Sequence, residues 1–292
     1  MIKRILTGTA ILVATVVVLW FAWTPLYPTV WAALGVIGVW EFLRAFGFHR
    51  RPVYVVPSLS FAVAIPYVCY YLAEAWEGIF WIFVVLVIYL LWLMLIAVLL
   101  HPRVTMTEMA QVFLGVSYIC LGFASMTLLY KLGCTKLNNA KRTDNPLNEG
   151  VVYVIPVFIG AWVTDTFAYF TGVLFGRHKL APELSPKKTI EGSVGGLAFS
   201  MIAFILYGVI IGRITGRRPN YVVFPLAGLL MSLLSQVGDL FMSKIKREHG
   251  IKDYGRIFPG HGGVLDRFDS ILPLGLLFLL FSHFEYFFSL FF

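Results

Sequence analysis

Charge is scarce in this chain. Asp, Glu, Lys and Arg make up only 13% of its 292 residues, against about 25% in an ordinary soluble domain. Cysteine is scarcer still. Cys69, Cys120 and Cys134 stand at unrelated spacings, which excludes a disulfide framework and a cysteine-built zinc site. No internal repeat or low-complexity tract is present, and no GxxxxGK[ST] stretch occurs, which excludes a P-loop. What the chain has in excess is oil: 59% of its residues are hydrophobic and 16% aromatic. A bilayer core takes roughly 20 apolar residues per helix, and that length is supplied many times over. The fold class expected is all-α, a polytopic integral membrane protein. The net charge of +8 calls for no nucleic acid, because lysines and arginines gather at the loop ends of membrane helices.

Apolar runs predict nine spans, near 5–23, 26–43, 53–73, 78–100, 108–130, 151–175, 194–212, 221–242 and 271–291. Pro57 and Pro66 interrupt the third, and membrane helices tolerate such kinks. The N-terminal run has the basic start of a signal peptide but is too long and lacks a small-residue cleavage site, so it reads as the first span. With the N-terminus cytoplasmic and the C-terminus outside, sixteen lysines and arginines fall inside and seven outside, the bias expected of cytoplasmic loops. Leaving out the last two inside loops gives six against seven, so the orientation rests partly on function. Residues 1–292 read as one transmembrane domain. Spans before about 150 hold few ionisable residues and read as scaffold, whereas 151–292 carries the polar chemistry and reads as the catalytic half.

Three polar constellations stand out. The sixth span carries Asp165. A carboxylate in hydrocarbon is costly, so it should face a bundle interior or a watery cavity, either as a working group or as a structural partner. Ala168, Gly172 and Gly176 follow at four-residue spacing, a small face that lets another helix approach. The next segment, "LAPELSPKKTIEGSVGG", presents Ser185, Lys187, Lys188, Thr189, Glu191 and Gly192. Lysines, glycines and a helix start suit polyphosphate, though a basic loop serving only topology fits as well. In the eighth span Ser232, Ser235, Gln236, Asp239 and Ser243 share one helical face. Beyond it, "KDYGRIFPGHGGVLDRFDS" (252–270) is too rich in glycine and proline for a helix. Its carboxylates and basic groups suit magnesium and a phosphate ester. His261 serves equally as a base or as a hydrogen-bonding orienter of its neighbours.

Residues 243–269, "SKIKREHGIKDYGRIFPGHGGVLDRFD", resemble the signature of the phosphatidate cytidylyltransferases, also called CDP-diacylglycerol synthases. The elements are Ser243, Lys246-Arg247, Lys252-Asp253, Gly255, Pro259, His261-Gly262-Gly263 and Asp266-Arg267-x-Asp269, without departure. The sixth span and the "SPKKTIEG" loop are similar too, so the likeness covers roughly the C-terminal half. It implies that CTP and phosphatidate give CDP-diacylglycerol and pyrophosphate in phospholipid biosynthesis, at the cytoplasmic face of the cell membrane. It implies magnesium, in some relatives with potassium, held by Asp239 and Asp266 with Asp269 as neighbour or further ligand. Catalytic roles would fall to Lys252, Asp253, His261, Arg267 and Asp165. CTP or phosphate contacts would fall to Ser185, Lys187, Lys188, Thr189, Glu191, Gly192, Gly262 and Gly263. The partners implied are CTP, phosphatidate and membrane lipid, with room for a homodimer. The lipid phosphate is already largely anionic at neutral pH, which argues against His261 as a strong base.

Two other readings stay open on sequence alone. A transporter for an anionic solute would also use a buried aspartate, helix-lining serines and broken helices. A related lipid enzyme, acting on an ether lipid or an isoprenoid alcohol, would use similar phosphate chemistry.

Overall fold

Hydrocarbon offers no partners to backbone N–H and C=O groups, so long apolar runs must pair them internally as helices. The structure is a computed structural model. It describes residues 2–72, 77–138, 150–216, 218–258, 260 and 262–283. Each of the nine expected spans meets a helix. Seven helices among the described residues are long and apolar enough to cross a membrane, and Gly8–Trp20 and Ile271–Ser282 form two shorter apolar ones. The ninth expected span is described only to residue 283. The protein is an all-α polytopic membrane protein.

The chain divides into two units. The first joins Met1–Val151 with His249–Phe268; the second joins Val152–Glu248 with Asp269–Phe292. The segment 249–268, which the sequence reading placed in the catalytic half, therefore packs with the N-terminal spans.

In the first unit run α1 (Ile2–Trp20), α2 (Leu26–Ala45), a 3-10 turn (Phe48–Arg50), α3 (Pro52–Tyr71), α4 (Glu77–Leu99), α5 (Met106–Asn138) and, much later, the one-turn α9 (Leu265–Phe268). Helices α2, α3 and α5 pack on one another, and α4 lies against α3 and α5. The most apolar window of α5 is 72% buried and that of α4 only 17%. So α5 is the central post, and α4 turns most of its surface outward, where lipid would meet it. Pro52 opens α3 at a position that needs no N–H; Pro57 and Pro66 leave that helix continuous. Close approach of α2 depends on missing side chains. A Cβ on Gly38 would meet Leu265, Ile119 and Phe123 at 3.1–3.3 Å.

The second unit contains α6 (Val151–Phe175), a β-hairpin of β1 (Lys179–Ala181) and β2 (Ser185–Thr189), α7 (Ile190–Thr215), α8 (Val223–Glu248) and α10 (Ile271–His283). α8 packs on α7 and α10. The small face of α6 meets a helix, as its spacing predicts. A Cβ on Gly172 would lie 2.9 Å from Thr189 Oγ1, one on Gly192 2.6 Å from the Ala168 carbonyl, and one on Gly196 3.0 Å from the Thr164 carbonyl. Helix α7 starts at Ile190, four residues before the expected 194. Thr189 caps it by accepting the Gly192 N–H at 3.1 Å, which satisfies one of the free donors of the first turn. At its far end Gly216, at φ 70°, supplies the left-handed cap. Helix α8 runs to Glu248, six residues past the expected 242.

Candidate active site

The polar stripe of α8 lies on one face, as helical periodicity requires. Ser232, Ser235, Gln236 and Ser243 are buried, and Lys246, on the same face, is 8% exposed. Ser243 donates to Asp239 Oδ1 at 3.3 Å. Ser193 near the start of α7 donates a short hydrogen bond to Gln236 Oε1, and the Gln236 amide returns one to the Ser193 carbonyl at 3.3 Å.

Three carboxylates converge at the end of this stripe. Gly238 permits it: a Cβ there would lie 2.7 Å from the Asp269 carbonyl and 2.5 Å from Pro273 Cγ, so only glycine lets the start of α10 sit this close to α8. Asp269 is buried and accepts the Ser270 N–H at 2.8 Å. Burial pushes its carboxyl well above the usual carboxylate range; the neighbouring Asp239 and Asp165 push the same way, while Lys246 and the Ser270 N–H oppose them. Ser270 donates to Asp165 Oδ2 at 3.5 Å. Of the two settings expected for Asp165, a bundle interior or a watery cavity, its exposed position on α6 fits the second. A carboxylate beside two others is less costly when water can still reach it.

The hairpin brings cations to the same place. Lys188 Nζ lies 2.5 Å from Asp239 Oδ2, and both side chains are about a quarter exposed. Lys187 is exposed. Arg247 Nε donates to the Leu184 carbonyl at 3.4 Å. Four other residues expected to touch phosphate build the corner around these cations. Thr189 is the cap of α7. Glu191 accepts the N–H groups of Arg177 at 3.0 Å and His178 at 3.2 Å, and its Oε1 pairs with His178 Nδ1 at 2.7 Å. Gly192 makes room for α6. Ser185, half-buried, opens β2.

The signature loop, in the first unit, is irregular up to α9, as its glycines predict. Lys252, Asp253 and Arg267 are exposed; His261 lies outside the described residues. Asp266 is buried. Its Oδ2 accepts the N–H of Tyr254 at 2.8 Å and of Gly263 at 2.9 Å, so one carboxylate ties the two ends of the loop. Gly262 adopts φ 82°, which favours glycine, and a Cβ there would lie 2.7 Å from Asp266 Oδ2. Glu41 and Arg44 of α2 hold the same loop. The Glu41 carboxylate accepts the Val264 N–H at 3.1 Å and the Leu265 N–H at 3.0 Å, and Arg44 Nη2 donates to the Tyr254 carbonyl at 3.1 Å.

Sequence reasoning passed over Lys246, Glu41 and Arg44 as site residues. The signal for Lys246 was its position seven beyond Asp239, on the same helical face. For Glu41 it was an acidic residue inside an apolar span, the same signal that singled out Asp165.

Among the described residues no three His, Cys, Asp or Glu side chains form a ready-made metal cage. The arrangement is three carboxylates and two lysines, Lys188 paired with Asp239 and Lys246 buried on the same face of α8. Such a set can balance the charge of a phosphate ester with the help of a hard cation.

The chain matches the model of the cytidylyltransferase family over residues 2–285. The phosphatidate cytidylyltransferase of Staphylococcus haemolyticus (strain JCSC1435) is 39% identical over 180 residues, 61% of each chain. That of Staphylococcus aureus (strain COL) is 48% identical over 134 residues, 44% of this chain and 48% of the other. The chain thus spans about half to three-fifths of the length of these relatives. With every described residue inside the family match, the chain belongs to the cytidylyltransferase family.

Proposed function

We propose that this protein is a phosphatidate cytidylyltransferase. A phosphate oxygen of phosphatidate attacks the α-phosphorus of CTP; the bond from that phosphorus to the bridging oxygen of the β-phosphate breaks, and pyrophosphate leaves with its electron pair. CDP-diacylglycerol is the lipid product. The observation that carries the reading is the gathering of Asp239, Asp269 and Asp165 with Lys188 and Lys246 where α7, α8 and α10 begin or end. Phosphatidate would present its phosphate from the membrane, and CTP would reach it from water.

The second pKa of a phosphate monoester is about 6, so the nucleophile needs no strong base. Charge is the difficulty, and catalysis is then positioning and electrostatic stabilisation. Lys188 is held by Asp239 and can pass its ammonium to a phosphate oxygen when CTP arrives. Lys187, exposed beside it, is a second cation for the same oxygens. Lys246, buried on the same face of α8, is a further basic residue of the cluster.

Magnesium fits these residues. Asp269 is buried next to two other carboxylates, a repulsion that a divalent cation relieves. Magnesium is typically held by one or two carboxylates, with substrate phosphates and water completing its shell, so a site without a full protein cage among the described residues suits it. Asp239 and Asp269 of the second unit would hold it. When bound, it would supply charge neutralisation at the polyphosphate. The purified protein, given phosphatidate, labelled CTP and magnesium, should form labelled CDP-diacylglycerol and pyrophosphate in equal amounts. Absence of label in lipid, with the protein folded, overturns the reading.

A further inference from the structure

A buried carboxylate within an apolar span needs an explanation, because burying charge in hydrocarbon costs several kcal/mol by most estimates. Glu41 is 3% exposed within α2. Its two carboxylate oxygens take two consecutive backbone N–H groups, those of Val264 and Leu265. These are donors at the start of α9 that no helical turn can satisfy. One turn further along α2, Arg44 donates to the Tyr254 carbonyl. So α2 grips the signature loop at both of its ends.

The glycines of the loop report the same contact. A Cβ on Gly255 or on Gly263 would overlap Glu41 Oε1, and the two glycines approach each other around that carboxylate. Asp266 then locks the arrangement from inside the loop by taking the N–H groups of Tyr254 and Gly263. The loop is wrapped on Glu41, and two of its signature glycines are the imprint of that side chain.

We propose that Glu41 is a positioning residue for cytidylyl transfer: from α2 it fixes the backbone of residues 254–266 and thereby the placement of Asp266, Arg267 and Lys252. This rests on the enzymatic reading above. Arg44 supports the same grip at Tyr254.

The test compares Glu41→Ala and Glu41→Gln with wild type in the purified full chain. Hydrogen exchange is measured on segments 254–268 and 112–130, and steady-state kinetics with phosphatidate, CTP and magnesium are run beside it. Removal of a group that orients catalytic residues typically costs about ten- to hundred-fold in activity. Glu41→Ala should lose that much kcat, with the KM for CTP within about threefold. Its loop amides should exchange faster while α5 stays protected. Glu41→Gln keeps one acceptor oxygen and should fall between the two. A second arm uses Gly263→Ala, which crowds the carboxylate: the Glu41→Ala/Gly263→Ala double variant should be less impaired than the two single losses combined.

Unchanged loop exchange in Glu41→Ala, or a KM effect with kcat intact, overturns the proposal. If Glu41→Ala fails to fold, Glu41→Gln decides by the same readouts. If wild type transfers no cytidylyl group, the enzymatic reading falls, whereas the exchange data still decide whether Glu41 holds the loop.

Discussion

Lys188 and Asp239, 2.5 Å apart, bind each other; in the proposed reaction Lys188 would turn to the polyphosphate and Asp239 to the metal ion. Lys188→Ala removes a cation aimed at polyphosphate. A hydrogen bond to a charged group is worth about 1.5–3 kcal/mol, so kcat/KM for CTP should fall roughly ten- to hundred-fold. The magnesium requirement should not rise, because Lys188 no longer competes for Asp239. Lys187 can cover part of the loss, so the double variant should be worse. Wild-type CTP kinetics in the double variant would return the hairpin to a purely topological role.

The carboxylates allow a sharper test at the same scale. Asp→Asn keeps size and one acceptor oxygen but removes a full charge. Asp239→Asn and Asp269→Asn should each lose about a hundred- to thousand-fold in rate, the usual loss for a preorganised electrostatic contact. The double variant should be little worse, since groups acting as a unit are not additive. High magnesium or manganese should restore part of the activity. Asp266→Asn separates two roles. As a ligand it behaves like Asp239→Asn in a magnesium titration; as a brace between Tyr254 and Gly263 it loosens the loop without responding to metal. Asp165→Asn separates two roles in the same way: as a member of the carboxylate cluster it shifts the metal dependence, whereas as a structural partner of Ser270 it lowers stability and leaves the metal dependence unchanged. Near-normal rates for Asp239→Asn at limiting magnesium would sink the assignment.

Among the elements, the contact between α6 and α7 depends on glycine. A Cβ on Gly195 would overlap Thr171, whose hydroxyl donates to the Phe167 carbonyl at 2.6 Å. Overpacking of this kind costs about 1–3 kcal/mol. Gly195→Ala should therefore lower the melting temperature in detergent, and an unchanged melt would show that the helices can part there freely. The helices themselves were legible from sequence, because apolar length alone forces them. So was the shared face of Ser232, Ser235, Gln236, Asp239 and Ser243, a matter of periodicity. The job of Gly192 and Gly196 was not legible. Glycine serves close approach of any backbone, and the chain does not say whether ligand or helix comes close. The hairpin escaped for a similar reason: Pro182 and Pro186 exclude a helix without specifying pairing between Lys179 and Thr189. The partners of Glu41 stayed hidden because they lie 223 and 224 residues away, beyond any local pattern.

For the whole molecule the open matter is orientation. The ion pair of Lys188 with Asp239 joins the start of α7 to the C-terminal part of α8, and Asp269 stands just before α10. The hairpin, the end of α8 and the start of α10 thus share one side of the membrane, and the turn around Gly216 lies on the other. We infer that the shared side is cytoplasmic, since CTP must reach the lysines and the excess of basic residues in those loops points the same way. The test uses single cysteines in a chain from which Cys69, Cys120 and Cys134 have been removed, with a membrane-impermeant thiol reagent. Pro186→Cys should be labelled only from the cytoplasmic side. Arg218→Cys, exposed after α7, should be labelled only from the opposite side. Asn139→Cys, at a position outside the described residues, should follow Arg218→Cys. Labelling of Pro186→Cys and Arg218→Cys from the same side would contradict the crossing of α7 itself. Opposite labelling with the sides exchanged would leave the helices in place and remove CTP from reach of its proposed site.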